Sequence, residues 1–158
     1  MALVPVSFEA LSDIKYSIAL APHERFCTPE FAVVKFSGMY RDGAAGKSDA
    51  LFITAIMDAV QTAWFTPSLI MDFTDLEYRW GDEMEWIHDV GRFMPSPCSK
   101  PLAIIVSDKC RTGLQSLSSD EYNLHCVESY GDAVSLIRLR EKDFDKCMDE
   151  WRSKLQGQ

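Results

Sequence analysis

Two short, unbroken apolar runs, Leu69-Ile70-Met71 and Leu102-Ala103-Ile104-Ile105-Val106, set the tightest limit on how this chain can fold. A strand with one wet face alternates apolar and polar residues. A run without alternation has both faces covered, which is the habit of parallel sheets. Between the runs, Met84, Ile87, Val90 and Met94 recur at helical spacing until Pro95, and Pro97 keeps the next loop open. Upstream, Phe52, Ile56, Ala59, Val60 and Ala63 form a second helical stripe that ends before Pro67, and Ser48 is placed to cap it. Phe31 to Phe36 is rich in branched and aromatic residues and reads as a strand. Strand, helix, strand, helix, strand is a βαβαβ order, with parallel strands and right-handed crossovers.

The remaining segments decorate that unit. Ser12 to Ala21 looks extended, and Pro22 and Pro29 punctuate the loop that follows. Arg111 to Ser119 reads as a short helix and Leu124 to Val127 as a last edge strand. Gly131-Asp132 opens a helical run through Ala133, Val134 and Ile137. Phe144, Met148, Trp151 and Leu155 then share one face of a terminal amphipathic helix, Asp143 to Leu155, that docks on the body. The expected fold is α/β: a single domain, 1–158, with a core at about 31–140. Its mixed, mostly parallel sheet has about four to five strands with helices packed on it, plus the C-terminal helix over 143–155. A chain of 158 residues buries roughly 70% of its unfolded surface and needs no covalent staple.

Charge narrows the partners. The chain carries 24 acidic against 16 basic residues, a net of −8. Nucleic-acid binding requires a basic stripe that displaces counterions, and an anionic membrane surface repels the same excess. No apolar run approaches the roughly 18 residues of a spanning helix. Met1 to Ala10 lacks the basic start and long apolar core of a signal peptide. The expected location is the cytoplasm. Cys27, Cys98, Cys110, Cys126 and Cys147 are odd in number and widely spread, and read as free thiols in a reducing compartment. His23, His88 and His125 fall in no Cys/His ligand spacing, so neither a metal nor another cofactor is expected.

Two segments carry candidate chemistry. Gly46-Lys47-Ser48 lies between a strand and a helix, as a phosphate-cradling loop does, with Asp72 at the next strand as a magnesium ligand. The motif's first glycine is missing: Arg41 holds its position, and the nearest glycine is Gly43. A plain loop-to-helix junction is the better reading. The more unusual segment is Asp72 to Asp89, where seven acids in eighteen residues surround one basic residue, Arg79, and are interleaved with Tyr78, Trp80 and Trp86. Aromatic rings beside a focused acidic field suit an interface for a basic protein partner. Its expected members are Asp75, Glu77, Arg79, Trp80, Asp82, Glu83, Glu85 and Trp86. No catalytic triad or nucleophile elbow is present in the spacing.

The order of elements and the segment Ser68-Leu69-Ile70-Met71-Asp72-Phe73-Thr74-Asp75-Leu76-Glu77-Tyr78 resemble the STAS domain, the module of bacterial anti-sigma factor antagonists and of sulfate-transporter tails. The resemblance covers roughly Phe31 to Arg140. It implies a mixed sheet with helices and a non-catalytic role in binding a protein. Antagonists of this family open the following helix with a phosphorylatable serine. Here that stretch reads Arg79-Trp80-Gly81-Asp82-Glu83 and has no hydroxyl, so Asp82 or Glu83 would supply a fixed negative charge instead. The leading expectation is a regulatory module that docks a protein, with an immunity-type inhibitor of a basic toxin enzyme as a sub-case. The alternatives are a nucleotide-phosphate enzyme using Lys47 and Asp72, and a subunit that forms a homodimer through its terminal helix.

Overall fold

The structure is a computed structural model that describes residues 3–24, 27–91 and 97–156. A five-stranded sheet runs β1 (Lys15–Ala21), β2 (Phe31–Met39), β3 (Ser68–Glu77), β4 (Leu102–Ile105) and β5 (Cys126–Val127), in spatial as in sequence order. β1 pairs antiparallel with β2, and every later pairing is parallel. The helices are α1 (Lys47–Trp64), α2 (Arg111–Leu117), α3 (Ser119–His125) and α4 (Tyr130–Gln156), with a 3₁₀ turn at Gly43–Gly46 and another at Met84–Asp89.

Strand order explains the layering. Each parallel strand is added on the same side of the one before, so right-handed crossovers place all their helices on one face. That face holds the larger core, where Val34, Phe36, Met71, Phe73 and Ile104 of the sheet meet Phe52, Ile53 and Met57 of α1 and Met84 and Ile87 of the second 3₁₀ turn. The opposite face would stay bare. Helix α4 covers part of it, burying Ala133 and Ile137 against Ile70, Ala103 and Ile105. The continuously apolar β3 and β4 are thus covered on both sides, as their lack of alternation requires.

Four expectations about local structure change. The stripe at Met84, Ile87 and Val90 forms only the six-residue 3₁₀ turn, while Met94 and Pro95 lie outside the described residues. Ser48 does not cap α1. The helix already begins at Lys47, continuing from the preceding 3₁₀ turn, and the Ser48 hydroxyl bonds back to the Ala45 carbonyl. The two C-terminal helical segments are one helix of 27 residues, because nothing between Ile137 and Phe144 breaks the turn. Of its expected docking stripe, Phe144, Met148 and Trp151 are half-buried and Leu155 is exposed.

The fourth change concerns the thiols. Cys98 and Cys147, 49 residues apart, form a disulfide that ties the loop before β4 to α4. Only the packing of α4 across the sheet brings them together, so sequence spacing could not reveal the pair. Cys27, Cys110 and Cys126 remain free. A disulfide is uncommon in the reducing compartment that the five thiols had suggested.

A buried carboxylate joins the N-terminal segment to α1. Asp49 accepts from the Ser12 hydroxyl at 2.5 Å, from the Arg41 amide at 2.8 Å, and from the Arg41 guanidinium at 2.7 and 2.9 Å. Burial by itself raises the Asp49 carboxyl, but the bonds from Arg41 and Ser12 outweigh it, and the net direction is downward. A depressed folded-state value adds stability above the ordinary carboxylate range, and that contribution disappears as acid titrates the group. Asp49→Ala leaves those donors unpaired. It is expected to lower unfolding free energy by about 2–4 kcal/mol in urea titrations at pH 7 and to flatten the acid limb of the stability profile. Reduction of the Cys98–Cys147 bridge frees a loop of 49 residues. It is expected to cost roughly 4 kcal/mol, read as a lower urea midpoint with reductant that Cys147→Ser reproduces without it.

Candidate functional site

The segment that follows β3 is fixed from below by two tyrosines. Tyr40 and Tyr78, both buried, meet edge to face with ring centroids 5.0 Å apart. Tyr40 donates its hydroxyl to the Asp82 carbonyl at 2.7 Å, and Tyr78 donates to the Gly81 carbonyl at 3.3 Å. Burial pushes the Tyr78 hydroxyl up to about 12, with Glu85 adding to the shift, and burial also raises Tyr40. Both therefore remain protonated donors at neutral pH. The Asp82 amide completes the seat by donating to the Gly43 carbonyl at 3.1 Å.

Glycine is required where this seat is tightest. A Cβ on Gly81 would stand 2.6 Å from Tyr40 Cε1 and 2.8 Å from the Arg41 carbonyl, and one on Gly46 would stand 2.3 Å from the same ring atom. Gly46 therefore serves packing. It adopts right-handed helical angles, φ −65° and ψ −22°, and joins the 3₁₀ turn smoothly to α1. This run is not an open loop of amides around an anion. Lys47 faces Glu83 at 3.4 Å and lies 5.6 Å from the Trp86 ring centre. Arg41 donates to the Ser48 hydroxyl at 3.1 Å.

The structure thus joins two stretches that the sequence presents as separate candidates. Gly46-Lys47-Ser48 and the acidic segment form one surface, linked by Lys47–Glu83 and by the Trp80 ring lying over Gly43. Asp72 does not join it. It alternates with Met71 and Phe73 of the larger core, so it points to the opposite face of the sheet and there accepts from the Thr74 amide and hydroxyl. The Lys47–Asp72 pairing that a phosphate-binding enzyme would use is not formed. Among the described residues the strand order never reverses, so they form no switch-point crevice of the kind where open α/β sheets bind nucleotides.

The acidic segment itself divides. Between Lys35 and Ser37 the register of β2 and β3 shifts, because β3 carries an extra residue there. Beyond the shift, Asp75 bonds to Lys35 at 2.6 Å and Lys109 at 3.3 Å, and these two ammonium groups hold its carboxyl below the ordinary range. Asp75 is therefore neutralised within the chain, and Glu77 ends β3 beside Met39. Trp80, Asp82 and Glu85 are exposed above the tyrosine seat together with Arg79, while Glu83 and Trp86 are half-buried and engaged with Lys47. Glu83 takes a positive φ of 67°, an uncommon backbone for this residue type, at the start of the 3₁₀ turn. Trp80 is 59% exposed although its neighbours Tyr78, Gly81 and Asp82 are fixed.

One cluster escaped the sequence reading. His88, Glu121 and His125 bring their donor atoms within 4.8 Å of one another. Glu121 and His125 stand one helical turn apart, which is the only local sign of it, and His88 arrives from a different element.

No protein-family model matches the chain, and no curated protein matches it by sequence. The fold does have a counterpart. The crystal structure of an anti-sigma factor antagonist from Mycobacterium paratuberculosis superposes with a TM-score of 0.53 over 78% of this chain and 95% of that one, at 13% identity. This chain has a STAS-like fold. Likeness at that identity concerns architecture alone. The described residues contain no helix long and apolar enough to cross a membrane.

Gly81→Ala tests the seat. Crowding against Tyr40 and the Arg41 carbonyl is expected to cost about 1–3 kcal/mol. It should also release Trp80, seen as raised fluorescence anisotropy decay relative to the parent chain.

Proposed function

We propose that this chain is a non-catalytic regulatory module that binds a protein through the rigid surface formed by Trp80, Asp82 and Glu85, with Arg79 and Glu77 at its rim. The observation that carries the reading is the exposed Trp80 indole held above the Tyr40–Tyr78 seat. Tryptophan is among the residues that dominate binding energy at interfaces, and here it stands beside exposed acids rather than alone. Because the backbone on either side is already fixed, little ordering entropy remains to be lost on docking. The likeness in fold to an anti-sigma factor antagonist supports a protein-binding role.

Charge selects the partner. Lys35 and Lys109 neutralise Asp75, and Lys47 neutralises Glu83, while Asp82 and Glu85, with Glu77 at the rim, remain exposed acids of the surface. A partner with a basic patch around an apolar pocket is complementary, and its association should slow as salt rises. Nucleic acid and anionic membrane carry the wrong sign for this face.

The test is capture from a lysate of the native host, with identification by mass spectrometry. Trp80→Ala and the pair Asp82→Lys/Glu85→Lys are each expected to weaken capture at least roughly tenfold while leaving the circular dichroism spectrum intact. Capture unchanged in both variants would remove this surface as the docking site.

A further inference from the structure

Two elements bring nitrogen and oxygen donors of three side chains to one point. His88 lies near the end of the 3₁₀ turn Met84–Asp89, and Glu121 and His125 lie on one face of α3. We propose that His88, Glu121 and His125 bind one divalent transition-metal ion of the zinc type. The three donor atoms lie within 4.8 Å of one another, and His125 Nε2 stands 3.2 Å from Glu121 Oε2. Zinc bonded at about 2.0–2.2 Å in a tetrahedron sets its ligand atoms about 3.4 Å apart, so this edge of the site is already at working length. The two imidazole rings are tilted by 32° with centres 5.4 Å apart.

Unused bonding capacity points the same way. His88 Nδ1 is buried with no hydrogen-bond partner among the described residues. Buried ring nitrogens are nearly always satisfied, so this ring keeps bonding capacity in reserve. His125 Nδ1 lies 3.3 Å from the Leu102 carbonyl, the second contact that commonly orients a metal-bound histidine. A cleft of about 300 Å³, lined by His88, Glu121 and His125 together with Asp143, gives access and room for a water as the fourth ligand.

Arg140 opposes the ion. Its guanidinium lies 2.8 Å from His125 Nδ1 and also donates to the carbonyls of Leu102 and Leu124. While Arg140 donates to Nδ1, the ring proton sits on Nε2 and faces Glu121. Metal binding needs the other tautomer, with Nδ1–H on the Leu102 carbonyl and the guanidinium turned aside. Affinity is therefore weaker than the three donors alone would give. Two imidazoles and one carboxylate select zinc and its late first-row neighbours over magnesium or calcium, which take oxygen ligands. The ion would tie the 3₁₀ turn, which also carries Glu85, to α3.

The experiment titrates zinc chloride into the full, oxidised chain by calorimetry and follows cobalt(II) by its visible absorption. One saturable site is expected, with the absorption of a four-coordinate nitrogen-oxygen site. Glu121→Gln and His125→Ala should each raise the dissociation constant at least about tenfold to a hundredfold, whereas His23→Ala should not change it. Circular dichroism establishes that each variant folds, and the cobalt spectrum of the unaltered chain tests the donor set without any substitution. Absence of saturable binding, a thiolate charge-transfer band, or affinity unchanged in both ligand variants overturns the proposal.

Discussion

The edge-to-face contact of Tyr40 and Tyr78 governs the functional end of this molecule. Each ring closes the core at the end of a parallel strand, and each hydroxyl takes a carbonyl of the segment above it. The two bonds convert a loop rich in charge into a fixed surface. The same Tyr40 ring leaves no room for a side chain at Gly46 or Gly81, so the start of α1 and the acidic segment are drawn to one place. Without that contact, Trp80 and its acidic neighbours would be held only by the Asp82–Gly43 bond and the Lys47–Glu83 pair.

The rest of the architecture follows from the order of addition. A sheet that grows in one direction collects its crossover elements on one face, so the second face falls to α4. That helix is anchored by apolar packing near Ile137, by the Ser68–Glu141 hydrogen bond and by the Cys98–Cys147 bridge. These three contacts lie successively farther along α4. The covalent one secures the part of the helix where fully buried apolar residues have run out.

Much of the fold was legible in the residues. The unbroken runs at Leu69–Met71 and Leu102–Val106 identified strands covered on both faces, and the STAS-like resemblance of Ser68 to Tyr78 agrees with the structural likeness in fold. The acidic and aromatic segment was visible as composition, but its internal division was not. Asp75 is neutralised by Lys35 and Lys109, from two other strands' neighbourhoods, while Glu83 meets Lys47 across a turn. Charge counts along a chain cannot report such cancellation, because opposite charges 34 or more residues apart in sequence meet only through the sheet.

What the sequence determined by itself is the set of local preferences: period, β-branching, turn residues and net charge, each set by near neighbours along the chain. Tertiary structure decided which distant groups share space. It paired Cys98 with Cys147, gathered His88 with Glu121 and His125, turned Asp72 away from Lys47, and laid the Trp80 ring over Gly43. The reason is physical. Bonding and burial act over a few ångströms, and those distances exist only after the strands have paired and α4 has crossed the sheet.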